Sequence, residues 1–317
     1  MDLKKLLTSV AAFALLASVA SAEEGGSGHY APGATADFID ALPGKPAWVF
    51  ADAFTYYHGD ATPPIDFAGN TTLNAHATLY ADSIFALYET PLTFLGGNYA
   101  VGTVIPYVWL TVNGTVSVKT GPITTNIKQS DSTSGLGDIE LLPFMLGWTN
   151  AMDMKYDVRL GIYTPTGDYE KGQLANAGRN YWTFEPALSF SWLSTKIGTE
   201  FTAFAGFDIN TENNATDYQS GTSFHLDGTV AQHLPLFGGV AGLGAEGFVY
   251  EQITADSGSG ATLGSFEGHT YGVGPVASYA HKIGKVDFAG EVKWLPEVDV
   301  QKRLQGDYVW VKVGIVF

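Results

Sequence analysis

Twelve stretches of roughly ten to seventeen residues alternate apolar and polar side chains, at 46–58, 72–89, 99–113, 135–148, 154–164, 179–193, 199–210, 220–234, 239–252, 266–281, 285–296 and 307–317. A period of two sends alternate side chains to opposite faces of a strand. Beyond the first 22 residues no run approaches the ~20 consecutive apolar residues of a membrane helix. The chain is therefore a soluble sandwich or a sheet that crosses the membrane closed on itself, because hydrocarbon leaves no partner for an open edge.

Several stretches resolve into two faces. In "NYWTFEPALSFSW", Trp182, Phe184, Pro186, Leu188, Phe190 and Trp192 oppose Tyr181, Thr183, Glu185, Ala187, Ser189 and Ser191. In "EFTAFAGFDIN", Phe201, Ala203, Ala205, Phe207 and Ile209 oppose Glu200, Thr202, Asp208 and Asn210, and "KVDFAGEVKW" sets Val286, Phe288, Val292 and Trp294 against Asp287, Glu291 and Lys293. Over 73–88, Leu73, Ala75, Ala77, Leu79, Phe85 and Leu87 form the expected lipid face, opposite Asn74, His76, Thr78, Tyr80 and Asp82. "WVFADAFTYYH" carries bulky groups on both faces and does not resolve.

The links alternate too. Long polar ones, 59–71, 114–134, 165–178, 211–219, 253–265 and 297–306, follow the odd-numbered stretches, and short ones such as "TNAMD", "PLFG" and "KIG" follow the even-numbered ones. That asymmetry is expected of an outer-membrane barrel, with loops outside and turns in the periplasm. Trp48, Tyr56, Tyr57, Trp148, Tyr181, Trp192, Trp294 and Tyr308 lie near stretch ends, as interfacial girdles require. The last stretch, "YVWVKVGIVF", has an apolar face of Val309, Val311, Val313, Ile315 and Phe317. Pairing with the first strand would satisfy it, and Val313, Ile315 and Phe317 form the expected assembly signal for the barrel assembly machinery.

Composition agrees. The chain has 38 glycines, 13% aromatics and no cysteine, so neither disulfides nor thiolate chemistry contribute. Residues 1–22 read as a signal peptide: Lys4 and Lys5, an apolar run, then Ala20-Ser21-Ala22. Removing them leaves 32 − 1 = 31 acidic and 16 − 2 = 14 basic residues, a net charge of −17, which makes nucleic acid and anionic membrane surfaces poor partners. Residues 46–317 are expected to form the barrel. Residues 23–45, with the amphipathic "ATADFIDAL", are expected to be a plug packing Phe38, Ile39 and Leu42 inward, or a periplasmic strap.

Four stretches spread along the chain, "GGSGHYAPG" (25–33), "GLGDIELLPFMLGW" (135–148), "GIYTPTGDY" (161–169) followed by "YWTFEPALSF", and "YGVGPVASY" (271–279), resemble the outer-membrane family named for the meta pathway of phenol degradation. The resemblance implies an all-β, transmembrane, antiparallel up-and-down barrel that serves as a channel for aromatic or other hydrophobic compounds in a Gram-negative outer membrane.

The faces expected to line the lumen hold His76, Asp82, Asp138, Glu140, Asp157, Arg159, Glu185, Glu200, Asp208, His225, Asp227, Glu246, Asp287, Glu291, Lys293 and Lys312. Eleven acids against three bases predict a negative lumen that favours cations or neutral solutes. "GLGAEG", with Gly242, Gly244 and Gly247, spells a nucleotide fingerprint but lies inside an alternating stretch without a following helix. "DINTENNATD" has Asn213 where a calcium loop needs glycine. His225 and Asp227 share a face, yet no serine is singled out as their partner. The expected protein is thus a channel without catalysis, metal or cofactor, whose partners are a small hydrophobic or aromatic solute, outer-membrane lipid and the assembly machinery. Its rivals are a nonselective cation-leaning porin, a barrel-embedded lipid hydrolase and a secreted soluble sandwich.

Overall fold

The computed structural model describes residues 23–317 apart from 62–63, 121–122, 151 and 265–266. The expected signal peptide lies outside the described residues. Fourteen strands follow one another: β1 Ala47–Ala61, β2 Ile65–Phe67, β3 Asn70–Phe94, β4 Gly97–Thr120, β5 Ile123–Leu136, β6 Glu140–Thr149, β7 Met154–Tyr163, β8 Thr183–Leu193, β9 Thr199–Asn210, β10 Ser223–Leu236, β11 Gly239–Gln252, β12 His269–Ile283, β13 Val286–Gln301 and β14 Gln305–Val316. Among the described residues the helical content is one 3₁₀ turn, Glu24–Gly26.

Twelve of these strands close a ring. β1 pairs with β3, β3 with β4, β4 with β6, and each strand from β6 to β14 with the next. β14 then returns to β1 from Val49↔Val316 to Asp60↔Gln305, antiparallel throughout. Trp48 N donates to Phe317 O at 3.0 Å and Phe317 N to Trp48 O at 3.1 Å, so pairing continues to the rim. Closure matters physically because each unpaired backbone group in hydrocarbon would cost several kcal/mol, of order 3–5.

The two supernumerary strands sit at the loop end. β2 forms a small hairpin with the start of β3. β5 pairs with the distal half of β4, Tyr107↔Leu136 to Thr120↔Ile123, and yields to β6 across Gly137–Ile139. The stretch 114–134, read as a loop, is therefore a long hairpin, and 297–306 is largely strand. Polar Thr, Ser and Lys strands need no apolar face where they stand in water, so the hydrophobic period gives no sign of them there.

The outer surface carries the apolar faces of β8, β9 and β13 as the period predicts: Leu188 is 61% exposed and Trp294 51%, beside Phe184, Phe201 and Val292. Near the short-turn rim, Trp48 stacks on Tyr88 and Trp148 on Tyr156. Trp148 Nε1 and Trp192 Nε1 each donate to a turn carbonyl, of Leu95 and Met152, at 3.1 Å. Indoles with an apolar body and one satisfied donor suit the lipid–water interface.

β3 departs from expectation. On β3 it is Ala77, Leu79, Ala81, Ser83 and Phe85 that line the interior, while Tyr80 is 42% exposed and packs against Phe54 and Tyr56 outside. His76 and Asp82, assigned to the lumen, therefore lie on the outer face. His76 Nδ1 meets Asp60 Oδ1 at 2.5 Å there, and Asp82 meets Asp52 of β1. The cause is an apolar inner wall on this side, formed with Val104, Val108, Leu110 and Val112 of β4. Where both faces are apolar, the rule that polar side chains point inward inverts.

Candidate functional site

Residues 23–46 run through the lumen from the loop end to the turn end. At the loop end the Glu23 carboxylate is paired with the Arg303 guanidinium and accepts from Tyr250, while Glu23 N donates to Asp256 Oδ2 at 3.0 Å. His29 follows, its Nε2 2.9 Å from Asp138 Oδ2 and its Nδ1 2.7 Å from Thr183 Oγ1, stacked on Tyr163. Burial pushes the His29 imidazole below its usual pKa, although Asp138 pulls the other way.

Asp227 receives the next turn of chain: the Tyr30 hydroxyl, Gly33 N at 3.2 Å and Thr35 Oγ1 at 3.0 Å all donate to it. Gly33 has φ +81° beneath Leu295, whose Cδ1 would lie 2.2 Å from an added Cβ, so glycine is needed there twice over. Trp310 Nε1 donates to Pro32 O at 3.0 Å.

Two lysines hold the lower half. Lys312 Nζ donates to Asp37 Oδ2 at 2.6 Å and Asp40 Oδ1 at 2.9 Å. Lys293 Nζ reaches Asp37 at 3.2 Å, Glu246 at 2.8 Å and Glu291 at 3.0 Å. Burial alone would raise Asp37, but Lys312 and Lys293 hold it well below the carboxylate range. Asp40 is pushed up to about 6 by burial and by the Asp37 charge. Phe38 packs edge-on against His233, and Ile39 lies against Gly314. Leu42 is buried with Ala100, Leu142 and Met145. Gly44 N donates to Glu89 Oε2 at 2.8 Å at the exit.

The segment hugs the polar wall of β8–β14 and leaves space against the apolar wall. A cavity of about 310 Å³ lies there, bounded by Leu79, Phe85, Val108 and Leu110 on the barrel side and by Gly28–Ala31 on the segment side. Asp138, Glu140, Arg159, Arg179 and Glu185 edge it.

Several remaining lumen candidates are paired. Asp157 binds Arg159 through two bonds, of 2.7 and 2.9 Å, and Glu200 meets His233 at 2.5 Å. Asp287 sits at the turn rim with Lys282, 48% exposed, rather than in the wall. Glu185, Asp208 and His225 come together on adjacent strands. A negative, water-lined passage was expected; the acids are instead largely bound to lysine, arginine, histidine or the segment, because residues 23–46 fill their side of the lumen. Sequence reasoning missed Glu23, His29, Tyr30, Asp37, Asp256 and Arg303, which sit in irregular chain where no period marks a face. His29-Tyr30 between glycines and the Asp37/Asp40 spacing were the available signals.

A family profile described as "Putative MetA-pathway of phenol degradation" matches residues 51–313. The chain belongs to this family. No curated protein sequence matches it significantly. Among solved structures, it is similar to the COG4313 outer membrane channel from Pseudomonas putida F1, with 14% identity, 91% of this chain and 100% of that chain covered, and a TM-score of 0.58. The beta domain of the Bordetella autotransporter BrkA aligns at 12% identity over 86% of this chain and 99% of that one, with a TM-score of 0.46. The fold of this family member is a closed antiparallel β-barrel like that of the Pseudomonas putida channel.

Proposed function

We propose that the protein is an outer-membrane channel for the inward passage of small hydrophobic or aromatic compounds, and that it performs no chemistry on them. The observation that carries this reading is the cavity: about 310 Å³, walled by Leu79, Phe85, Val108 and Leu110, inside a barrel whose lumen would ordinarily be polar. That volume is at the low end of ligand pockets and suits a small solute. The Arg179 guanidinium at its edge offers hydrogen bonds to a hydroxyl or carboxylate on an otherwise apolar molecule. The family's link to phenol degradation and the description of the Pseudomonas putida relative as an outer membrane channel support the same reading.

A cation-leaning porin would need its acids free in water, whereas Asp37, Glu246 and Glu291 surround Lys293. A hydrolase would need a nucleophile at His225, whose ring nitrogens have no hydrogen-bonding partner among the described residues. Residues 23–46 act as the plug that a solute passes, and Val313, Ile315 and Phe317 serve insertion by the assembly machinery into outer-membrane lipid.

The test is flux into proteoliposomes of an aromatic acid against a sugar of similar mass, for wild type and Leu110→Glu. The wild type should pass the aromatic faster, and the variant, with a charge in the apolar wall, should lose ~10-fold of that flux. Equal rates for both solutes, or an unaltered variant that is folded by heat-dependent gel migration, would contradict the assignment. A deletion strain growing normally on a broad panel of limiting aromatic substrates would count against it as well.

A further inference from the structure

Behind the N-terminal segment, three side chains on neighbouring strands converge: Glu185 of β8, Asp208 of β9 and His225 of β10. His225 Nε2 lies 2.9 Å from Glu185 Oε1 and 3.8 Å from Asp208 Oδ1. One donor atom from each falls within 4.8 Å of the other two. All three residues are buried, at 3%, 1% and 0% exposure. Gly206 makes the room, since a Cβ there would come 2.7 Å from His225 Cε1 and Nε2.

The polar atoms of Asp208 and His225 are unsatisfied. Among the described residues, neither oxygen of Asp208 and neither nitrogen of His225 has a hydrogen-bonding partner; the Glu185 oxygen is close to Nε2 but not in hydrogen-bonding geometry. Buried carboxylate oxygens and imidazole nitrogens are very rarely left so. The Arg159 guanidinium is committed to Asp157. Glu140 approaches Glu185 across Gly161, adding negative charge.

We propose that Glu185, Asp208 and His225 form a binding site for one divalent transition-metal cation of the zinc type. One imidazole nitrogen and two carboxylate oxygens are a donor set that such ions accept. Bonds of about 2.1 Å to a tetrahedral ion put donors about 3.4 Å apart, between the 2.9 and 3.8 Å separations here. Glu185 also edges the cavity, which supplies an entry path. The ion would tie β8, β9 and β10 together. Because Tyr30 stacks on the His225 ring at 3.9 Å, it would also steady the N-terminal segment. This inference holds whichever solute the cavity takes.

The test uses the full-length protein in detergent, stripped with chelator and titrated with Co²⁺, then Zn²⁺. Expected are one tightly held equivalent per chain by elemental analysis, visible Co²⁺ absorption of a four-coordinate site, and its displacement by Zn²⁺. Asp208→Asn and His225→Gln should each weaken binding by at least ~10-fold, and His76→Gln, on the outer surface, should not. If His225→Gln does not fold, the isosteric Asp208→Asn decides. No retained equivalent in the wild type, or retention by Asp208→Asn equal to wild type, overturns the site; loss in His76→Gln alone means an exterior ion only.

Discussion

Asp37→Ala should unseat the N-terminal segment while leaving the barrel closed. The Asp37 carboxylate is 2% exposed and binds two buried ammonium groups, Lys312 at 2.6 Å and Lys293 at 3.2 Å. Its Oδ1 accepts from Ile39 N at 2.9 Å and Asp40 N at 3.2 Å. Removing one partner of a buried ion pair costs about 3–5 kcal/mol. Here the low end applies, because Lys293 keeps Glu246 and Glu291 and Lys312 keeps Asp40. About 3 kcal/mol lost from the seated state alone multiplies the released population by ~150. Single-channel recording should register open events about two orders of magnitude more often. Protease added from the loop side should cut within residues 23–46, and Asp37→Asn, which keeps the acceptor at Oδ1, should fall between. A heat-modifiable Asp37→Ala barrel with wild-type open probability would refute the reasoning.

Three further outcomes are expected. His29, whose pKa burial lowers from 6.5 against the pull of Asp138, is held neutral near Arg179, Glu23 and Tyr163. Since the unfolded chain takes up a proton first, wild type should lose stability relative to His29→Gln as pH falls through 6.5, levelling off below the folded-state value; parallel pH profiles of urea unfolding would exclude this. Asp52 lies on the outer face between Phe50 and Phe54 and touches Asp82, so Asp52→Leu should stabilise the barrel in lipid vesicles by about 1–2 kcal/mol, and an unchanged or lower urea midpoint would count against a lipid-facing position. Phe317→Ser should slow outer-membrane insertion in cells several-fold without altering the folded barrel's heat-dependent migration; normal insertion kinetics would remove Phe317 from the assembly signal.

The barrel was legible where its two faces differ in chemistry. β8, β9 and β13 have lipid on one side and carboxylates on the other, and their alternation reads directly. β3 misled because Leu79 and Phe85 face a lumen that is itself apolar, while Tyr80 and His76 lie outside. β1 did not resolve because Phe50 and Phe54 pack outward while Tyr57 is buried within. The β4–β5 hairpin read as a loop because Ser117, Thr125 and Lys128 are polar, as strands standing in water are free to be. Wall partners such as Asp227, Glu246, Lys293 and Lys312 were found from the period. Their counterparts Tyr30 and Asp37 were not, since irregular chain carries no period and only the folded arrangement brings positions 37 and 312 together.

Lys312, in register with Ala53 of β1 where β14 meets that strand, binds Asp37 and Asp40 of the segment inside. A vacant cylinder would leave a stray ammonium at its own fastening. Segment and wall are thus matched in charge: withdrawing the leading residues leaves the join closed but takes from its ammonium the two carboxylates it binds.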